Sequence, residues 1–267
     1  MKNKKCRICG HQTIKVFDNL ILNKYIANYF QCTNCLFIQT EEPYWLEEAY
    51  LKAISVTDTG QISRNVLNSK NLNIIIPFLI KNPDKFKFLD YGGGYGILVR
   101  LIRDLGYDFF WYDKFCENLF AIGFEANEKE KYELTTAFEL FEHFVYPIEE
   151  IQKILEFGEP DFLVFTTVIY KENIPDKNWW YYSFESGQHI SIYNINTLKF
   201  IANKFSYYLL TNDNNLYIFT RKKFSNNIFK LFLKYPKYFS KLLKNNLKSK
   251  TFEDHLYLKS LIDNSKL

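Results

Sequence analysis

The segment Phe86-Lys-Phe-Leu-Asp-Tyr-Gly-Gly-Gly-Tyr-Gly96 restricts the possible folds of this chain more than any other. Residues 86–91 form a short apolar run with β character. Five residues follow that include four glycines, and Ile97, Leu98, Leu101, Ile102 and Leu105 then recur at helical spacing. Strand, glycine loop and helix in this order let the backbone approach a ligand closely and offer amide N–H groups at a helix N-terminus. Counted from Gly92, the third glycine of a dinucleotide-binding loop would fall on Ile97 and is missing. Asp90 stands two residues before the first glycine, at the carboxyl end of the strand. A carboxylate there suits a cationic or amino-group ligand and would repel a pyrophosphate. A second run, Asp108-Phe-Phe-Trp-Tyr-Asp113, ends in an acid 23 residues after Asp90, where such a unit binds the two ribose hydroxyls. Taken alone, Asp113 also reads as a helix N-cap. Glycine loop, amine-binding acid and ribose-binding acid together describe S-adenosylmethionine.

The surrounding pattern is α/β. Residues 63–80 have helical spacing and end near Pro77 and Pro83. Residues 132–138 read as a strand that runs into Glu139-Leu-Phe-Glu-His143. Residues 147–157 read as a helix with proline in its first turn. A buried strand at 161–167 and a helix at 195–204 follow. Residues 206–210 and 216–220 flank Thr-Asn-Asp-Asn-Asn as a hairpin with a longer loop. The stretch between Asp113 and Tyr132 is short, so the unit around residues 121–127 is trimmed.

Four of the five cysteines form two pairs, Cys6-Arg-Ile-Cys9 and Cys32-Thr-Asn-Cys35, with 22 residues between them. Two such knuckles let four thiolates converge on one ion, and the residues between them form a hairpin that closes the site. Gly10 suits the tight knuckle turn. Four thiolates leave no open position, so the expected zinc is structural; iron fits the same cage. The alternatives are two redox dithiols or a disulfide pair, which a reducing cytosol disfavours. Cys116 stands alone and reads as a small, partly buried side chain.

Leu89-Asp-Tyr-Gly-Gly-Gly-Tyr-Gly96, Asp113 and Glu139-Leu-Phe-Glu-His143 resemble the successive motifs of class I methyltransferases that use S-adenosylmethionine. The four-cysteine ribbon, with Trp179-Trp-Tyr-Tyr182 and Gly187-Gln-His-Ile-Ser191, resembles the branch found among sugar methyltransferases of surface-polysaccharide and deoxysugar pathways. The resemblance implies a Rossmann-like methyltransferase sheet that ends in an antiparallel hairpin, plus a small N-terminal zinc ribbon. It implies donor contacts from Asp90, Tyr91, Gly92, Gly93, Gly94, Gly96, Asp113 and Glu139. The expected organisation is a ribbon at 1–40, a linker and helices capping the cleft at 41–85, the methyltransferase domain at 86–222 and a basic helical tail at 223–267.

Methyl transfer from a sulfonium needs alignment and exclusion of water, and a hydroxyl or carbon acceptor also needs a base. Of four histidines, His11 lies in the ribbon and His255 in the tail. His189, in a glycine-containing loop, is the leading base, with Glu185 as its orienting partner. His143, after the third strand, is the other candidate. A histidine bonded to backbone is the plain alternative for either. Tyr44, Trp45, Trp180, Tyr181 and Tyr182 are candidates for stacking on substrate, with part of the 179–182 cluster equally able to serve the core.

Residues 221–267 hold 12 Lys and Arg against 3 Asp and Glu, a net charge of +9, so the preceding residues carry −5 of the chain's +4 total. The acidic body argues against methylation of RNA and no nucleic-acid partner is expected. Methylation of RNA or protein, and a non-catalytic scaffold, are the competing readings. In the tail, Ile228, Leu231, Phe232, Tyr235, Phe239, Leu242, Leu243 and Leu247 recur at helical spacing, with Lys230, Lys234, Lys237, Lys241, Lys244 and Lys248 between them. The expectation is a basic amphipathic helix kinked at Pro236. It either packs on the domain or rests on an anionic membrane surface or a partner enzyme. The longest apolar stretches are too short to span a bilayer, and no apolar stretch precedes the first cysteine pair, so a cytoplasmic location is expected.

Overall fold

A computed structural model describes residues 5–51, 57–235, 238–239 and 247–264. Its strands are β1 (Thr13–Ile21), β2 (Tyr25–Cys32), β3 (Ile38–Thr40), β4 (Lys87–Tyr91), β5 (Asp108–Tyr112), β6 (Leu134–Ala137), β7 (Phe162–Thr166), β8 (Ser191–Ile192), β9 (Tyr208–Thr211) and β10 (Leu216–Thr220). The helices are α1 (Leu46–Ala49), α2 (Gln61–Leu79), α3 (Ile97–Asp104), α4 (Pro147–Glu156), α5 (Ile195–Lys204), α6 (Asn226–Lys234) and α7 (Thr251–Asp263). Residues form two compact units, one of Met1–Thr57, Phe138–Glu156 and Val164–Lys223, the other of Asp58–Ala137, Phe157–Leu163 and Phe224–Leu267.

In the first unit β1 and β2 form an antiparallel hairpin with Thr13 opposite Cys32. Leu22 and Asn23 both hold positive φ, and Lys24 N–H bonds to Ile21 carbonyl at 3.0 Å, so a tight mirror-image turn closes the hairpin. The sheet order is β1-β2-β3-β8, and β8 brings in residues about 150 positions downstream. Phe17, Ile21, Tyr29, Ile38 and Trp45 share a core with Tyr170, Tyr181, Tyr182 and Ile192. The ribbon strands therefore have an apolar core of their own beside the cysteines. Strands β10 and β9 of this unit belong to a second sheet and pair antiparallel, with Tyr217 opposite Thr211. Helix α5 starts on a capping box in which Asn194 accepts from Asn196 N–H and the Thr197 hydroxyl accepts from Asn194 N–H.

In the second unit the order is β5-β4-β6, and β4 runs parallel to both β5 and β6. Phe88 and Leu89 are fully buried, as are Phe109 and all of β6. Sequence periodicity placed the third strand at 132–138; β6 is shorter because Tyr132 instead turns its hydroxyl to the Asn127 backbone. No helix forms between Asp113 and Leu134. Pro77 sits inside α2, two residues before its last residue, where it removes one i→i−4 bond, and the helix ends soon after it.

The described part of the tail packs on this unit. On α6, Phe229 and Phe232 meet Phe78 of α2. On α7, Asp254 is buried and takes a bidentate pair of bonds from Arg103, with Oδ2 at 2.8 Å from Nε and Oδ1 at 2.7 Å from Nη2. Arg100 adds a bond at 2.8 Å, and the Arg103 guanidinium lies over the Phe124 ring at 3.7 Å. The two arginines hold the Asp254 carboxyl below the usual carboxylate range despite its burial. Pro236, Lys237, Lys241, Leu242, Leu243 and Lys244, the centre of the expected kinked helix, lie outside the described residues. Among the described residues no helix is long and apolar enough to cross a membrane. Removing Asp254 takes the bidentate partner from a buried Arg103 and leaves it only Asp108 and the Phe109 carbonyl, so Asp254→Ala should lower stability by about 3 kcal/mol in urea denaturation; wild-type stability would show that α7 is not anchored by this pair.

Candidate functional site

The glycine loop is held from both sides within the second unit. Gly92 and Gly93 N–H groups bond to the Tyr112 carbonyl at 2.8 and 3.1 Å, which ties the loop to the end of β5. Gly92, Gly94 and Gly96 hold positive φ. A Cβ at position 93 would stand 2.8 Å from Trp111 Cδ1 and 2.9 Å from Asp90 Oδ2, so only glycine fits there. Gln61, the first residue of α2, lies near Gly94.

Asp90 ends β4 fully enclosed, with Thr136 Oγ1 donating to its Oδ1 at 2.6 Å. Burial raises its pKa to about 7; the Thr136 bond opposes the rise and the Asp113 charge adds to it. Asp113 Oδ1 accepts from Phe115 and Cys116 N–H at 2.7 and 2.9 Å, a local cap. Its Oδ2 accepts from Gly94 N–H at 2.9 Å, which closes the loop. Capping and loop-binding are thus combined in one carboxylate. Where the third helix is trimmed, Asn118 takes over. Its Oδ1 accepts from Ala121 N–H at 2.9 Å, and both residues pack where a Cβ on Gly96 would fall. Phe115, Leu119, Phe120 and Ile122 are exposed on this segment. Sequence reasoning missed Gln61, Trp111, Asn118 and Thr136, whose roles depend on neighbours and carry no spacing signal.

The first unit holds the remaining candidates. The four cysteines converge, with Sγ atoms 3.6 Å apart for Cys6 and Cys35 and 3.4 Å for Cys9 and Cys32. A tetrahedral ion with bonds of about 2.3 Å separates its sulfurs by about 3.8 Å, so the cage fits zinc. Ile8 N–H points at Cys6 Sγ, and Asn34 and Cys35 N–H at Cys32 Sγ, the amide pattern of a knuckle that stabilises thiolates. The sulfur contact from Cys35 pulls the Cys6 thiol down to about 5, while Cys35 itself is pushed up.

Glu139 and the 3₁₀ turn Phe141–His143 follow β6. Glu139 has a left-handed φ of 52°, and its carboxylate accepts from Thr166 Oγ1 at 2.6 Å. Ile190 N–H bonds to Glu142 carbonyl at 3.0 Å, and Ser191 Oγ donates to Phe144 carbonyl at 2.6 Å. These bonds bring the 187–191 segment against the turn. The His143 and His189 rings meet edge to face with centroids 5.1 Å apart. Atoms of Glu142, His143 and His189 come within 4.8 Å of one another. Burial, and secondarily His189, lowers the His143 pKa to about 3, so His143 stays neutral. Burial, and secondarily Glu139, raises that of Glu142 to about 8. Glu142 was missed because nothing in the sequence distinguishes a buried carboxylate from an exposed one.

Two expectations change here. Glu185 does not orient His189: it is exposed and accepts from Ser183 Oγ, while His189 Nδ1 lies 2.6 Å from the Tyr181 carbonyl. Trp45, Tyr181 and Tyr182 are core side chains with at most 2% exposure, because the ribbon strands need a large apolar partner. Trp45 Nε1 donates to Gly187 carbonyl and the Tyr181 hydroxyl is bonded at Thr167 and Val168. Tyr44 and Trp180 remain exposed.

A family model described as a methyltransferase domain matches residues 66–212, more than half of the chain. The chain belongs to this family. It is a methyltransferase that uses S-adenosylmethionine. No curated protein matches it. Solved structures similar to this methyltransferase include the plantazolicin methyltransferase BpumL in complex with a monoazolic desmethylPZN analog and SAH. Identity is 11% and the TM-score 0.44, over 67% of this chain and 93% of that one. Magnesium protoporphyrin IX methyltransferase (ChlM) from Synechocystis PCC 6803 with bound SAH is 10% identical at a TM-score of 0.42, over 65% and 90%. Monomeric WbdD is 15% identical at 0.40, over 69% and 46%.

Because Asp90 takes up a proton near pH 7, its charge is present above that pH and lost below it. Affinity for S-adenosylhomocysteine, whose ammonium the charge would bind, should fall about tenfold from pH 8 to pH 6. Titration calorimetry should show this slope in the wild type and not in Asp90→Asn; a slope that survives the substitution assigns the proton elsewhere.

Proposed function

We propose that this methyltransferase acts on a sugar, nucleotide-linked or part of a surface-glycan intermediate, and that its four cysteines hold a structural zinc. The observation that carries this reading is the shared sheet of the first unit. The cysteine hairpin pairs through β3 with β8, Ile38 opposite Ile192, so ribbon and His189 segment form one structure. That is the combination in which the sequence resembles sugar methyltransferases. A cavity of about 510 Å³ in the same unit, lined by Tyr170, Lys171, Glu172, Asn173 and Trp179, supports it. A ring face beside amide and charged groups is the surface a sugar stacks on and hydrogen-bonds to. The exposed Trp180 and Tyr44 are further platforms.

In this reading Asp90 binds the donor's ammonium. The backbone of Gly92, Gly93, Gly94 and Gly96, with Tyr91, cradles its methionyl part. Asp113 takes the ribose, and Glu139 adds a polar contact. Zinc would keep the knuckles closed and take no part in the chemistry. His189 removes the acceptor's proton. Its Nδ1–H is held by the Tyr181 carbonyl, which leaves Nε2 as the basic nitrogen. The exposed Ile228 and Leu231 on α6 and Tyr235 directly after it, beside Lys230 and Lys234, support contact of the tail with an anionic membrane surface.

Incubation with S-adenosylmethionine and a set of nucleotide sugars should yield a product heavier by one methylene. His189→Asn should lower its rate by about 10²-fold with S-adenosylhomocysteine affinity unchanged; wild-type turnover in that variant would remove His189 from the reaction. Elemental analysis should find one zinc per chain. Substituting Cys9 and Cys32 with serine should abolish it, and metal-free wild-type protein would overturn the zinc assignment.

A further inference from the structure

The connection from β5 to β6 has no helix of its own, and α7, which lies beyond the residues 66–212 of the family match, packs on it instead. A Cβ on Gly123, which holds a positive φ, would stand 2.5 Å from Leu258 Cδ2 of α7. The Phe124 ring meets the Tyr257 ring at 5.7 Å between centroids and the Arg103 guanidinium at 3.7 Å. Asp254 fixes that guanidinium through two bonds, and Arg103 Nη1 donates in turn to the Phe109 carbonyl of β5 at 2.9 Å.

The backbone beside Phe124 carries this packing to the glycine loop. Trp111 N–H of β5 bonds to Phe124 carbonyl at 2.8 Å, and Ala126 N–H to Trp111 carbonyl at 2.7 Å. The Trp111 indole donates from Nε1 to Gly94 carbonyl at 2.8 Å, and Gly93 rests so closely on its Cδ1 that a Cβ there has no room. A second route runs along α3. Its N-cap is Gly96, the last residue of the loop, and Arg100 and Arg103 farther along it both bond to Asp254. Arg103, Phe109, Phe124 and Asp254 are at most 5% exposed, and close-packed groups of this kind pass a displacement on to their neighbours.

We propose that α7 belongs to the donor site: it sets the position of the Gly92–Gly96 loop, with Asp254 as a positioning residue, so that affinity for S-adenosylmethionine depends on a helix outside the residues that match the family. The proposal rests on the reading that the donor binds at this loop. Asp254 acts through Arg103, Phe124 and Trp111, and Leu258 acts through Gly123.

The test uses the full-length protein with S-adenosylhomocysteine as the probe. Each variant is melted first, and binding is measured at a temperature where it is fully folded, so that a loss of stability alone leaves the affinity unchanged. Titration calorimetry should show affinity about tenfold weaker in Asp254→Asn and in Leu258→Ala. Phe232→Leu, which loosens α6 against Phe78 and lies on neither route, should melt earlier and bind as the wild type does. The Trp111 indole ¹H–¹⁵N signal, assigned with Trp111→Phe, should move on ligand binding in the wild type and stand at an altered position in ligand-free Asp254→Asn. Leu258→Ala carries the test if Asp254→Asn fails to fold. Wild-type affinity in the α7 variants, with the Trp111 signal responding to ligand in the wild type, would overturn the role of α7 and leave the loop as the donor site. A Trp111 signal that ignores bound ligand would overturn the loop as donor site and this proposal with it. Equal losses of affinity in all three variants would assign the effect to stability and overturn the positioning role.

Discussion

A carboxylate kept out of water needs a partner, and Asp90 shows how much local structure follows from that need. It ends β4 with almost no exposure, and Thr136 on the adjacent strand reaches it at 2.6 Å. One short bond does not replace water at a carboxylate, so its pKa rises toward neutrality. The glycine at position 93 follows from the same crowding, since any side chain would strike Asp90 or Trp111. Asp113, from the next strand, then closes the loop through Gly94 N–H. Loop, acids and strand ends form one electrostatic unit that a cationic ligand would complete.

The first unit solves a related problem with different groups. The turn at Leu22 and Asn23 folds β1 onto β2 so that the two cysteine knuckles meet. A ribbon this small buries little apolar surface by itself. Here it recruits Tyr170, Tyr181, Tyr182 and Ile192 from downstream segments. The aromatic residues at 181–182 serve as core for that reason, and the backbone around them becomes the scaffold on which His189 is held. Stability and placement of a chemical group come from the same packing. The tail follows this logic in the second unit, where Asp254 supplies the charge that a buried Arg103 requires.

Much of the site was legible because its signals are local. Asp90, the glycines and Asp113 sit at set distances along one strand–loop–helix–strand run, and the structure brings them together at the loop. The cysteine pairs were legible for the same reason, since each knuckle is four residues long. Helix α5 has the bounds expected from its periodicity. The burial of Glu142 and the backbone contacts of the two histidines were not legible. They depend on Gln188, Tyr181 and Ile190, which lie some 40 residues away or act through backbone carbonyls that no side-chain pattern reveals.

The sequence by itself determined the parallel α/β pattern, the glycine loop with its two acids, and a four-thiolate cage, because spacing along a strand or turn sets which side chains can meet a ligand. Only the tertiary structure decided which aromatics are core, which carboxylates are cut off from water, and that Glu185 leaves the orientation of His189 to a carbonyl. Burial belongs to a residue's neighbours rather than to the residue. Those neighbours are supplied by strand pairings such as β3 with β8, which join segments that are remote in the chain.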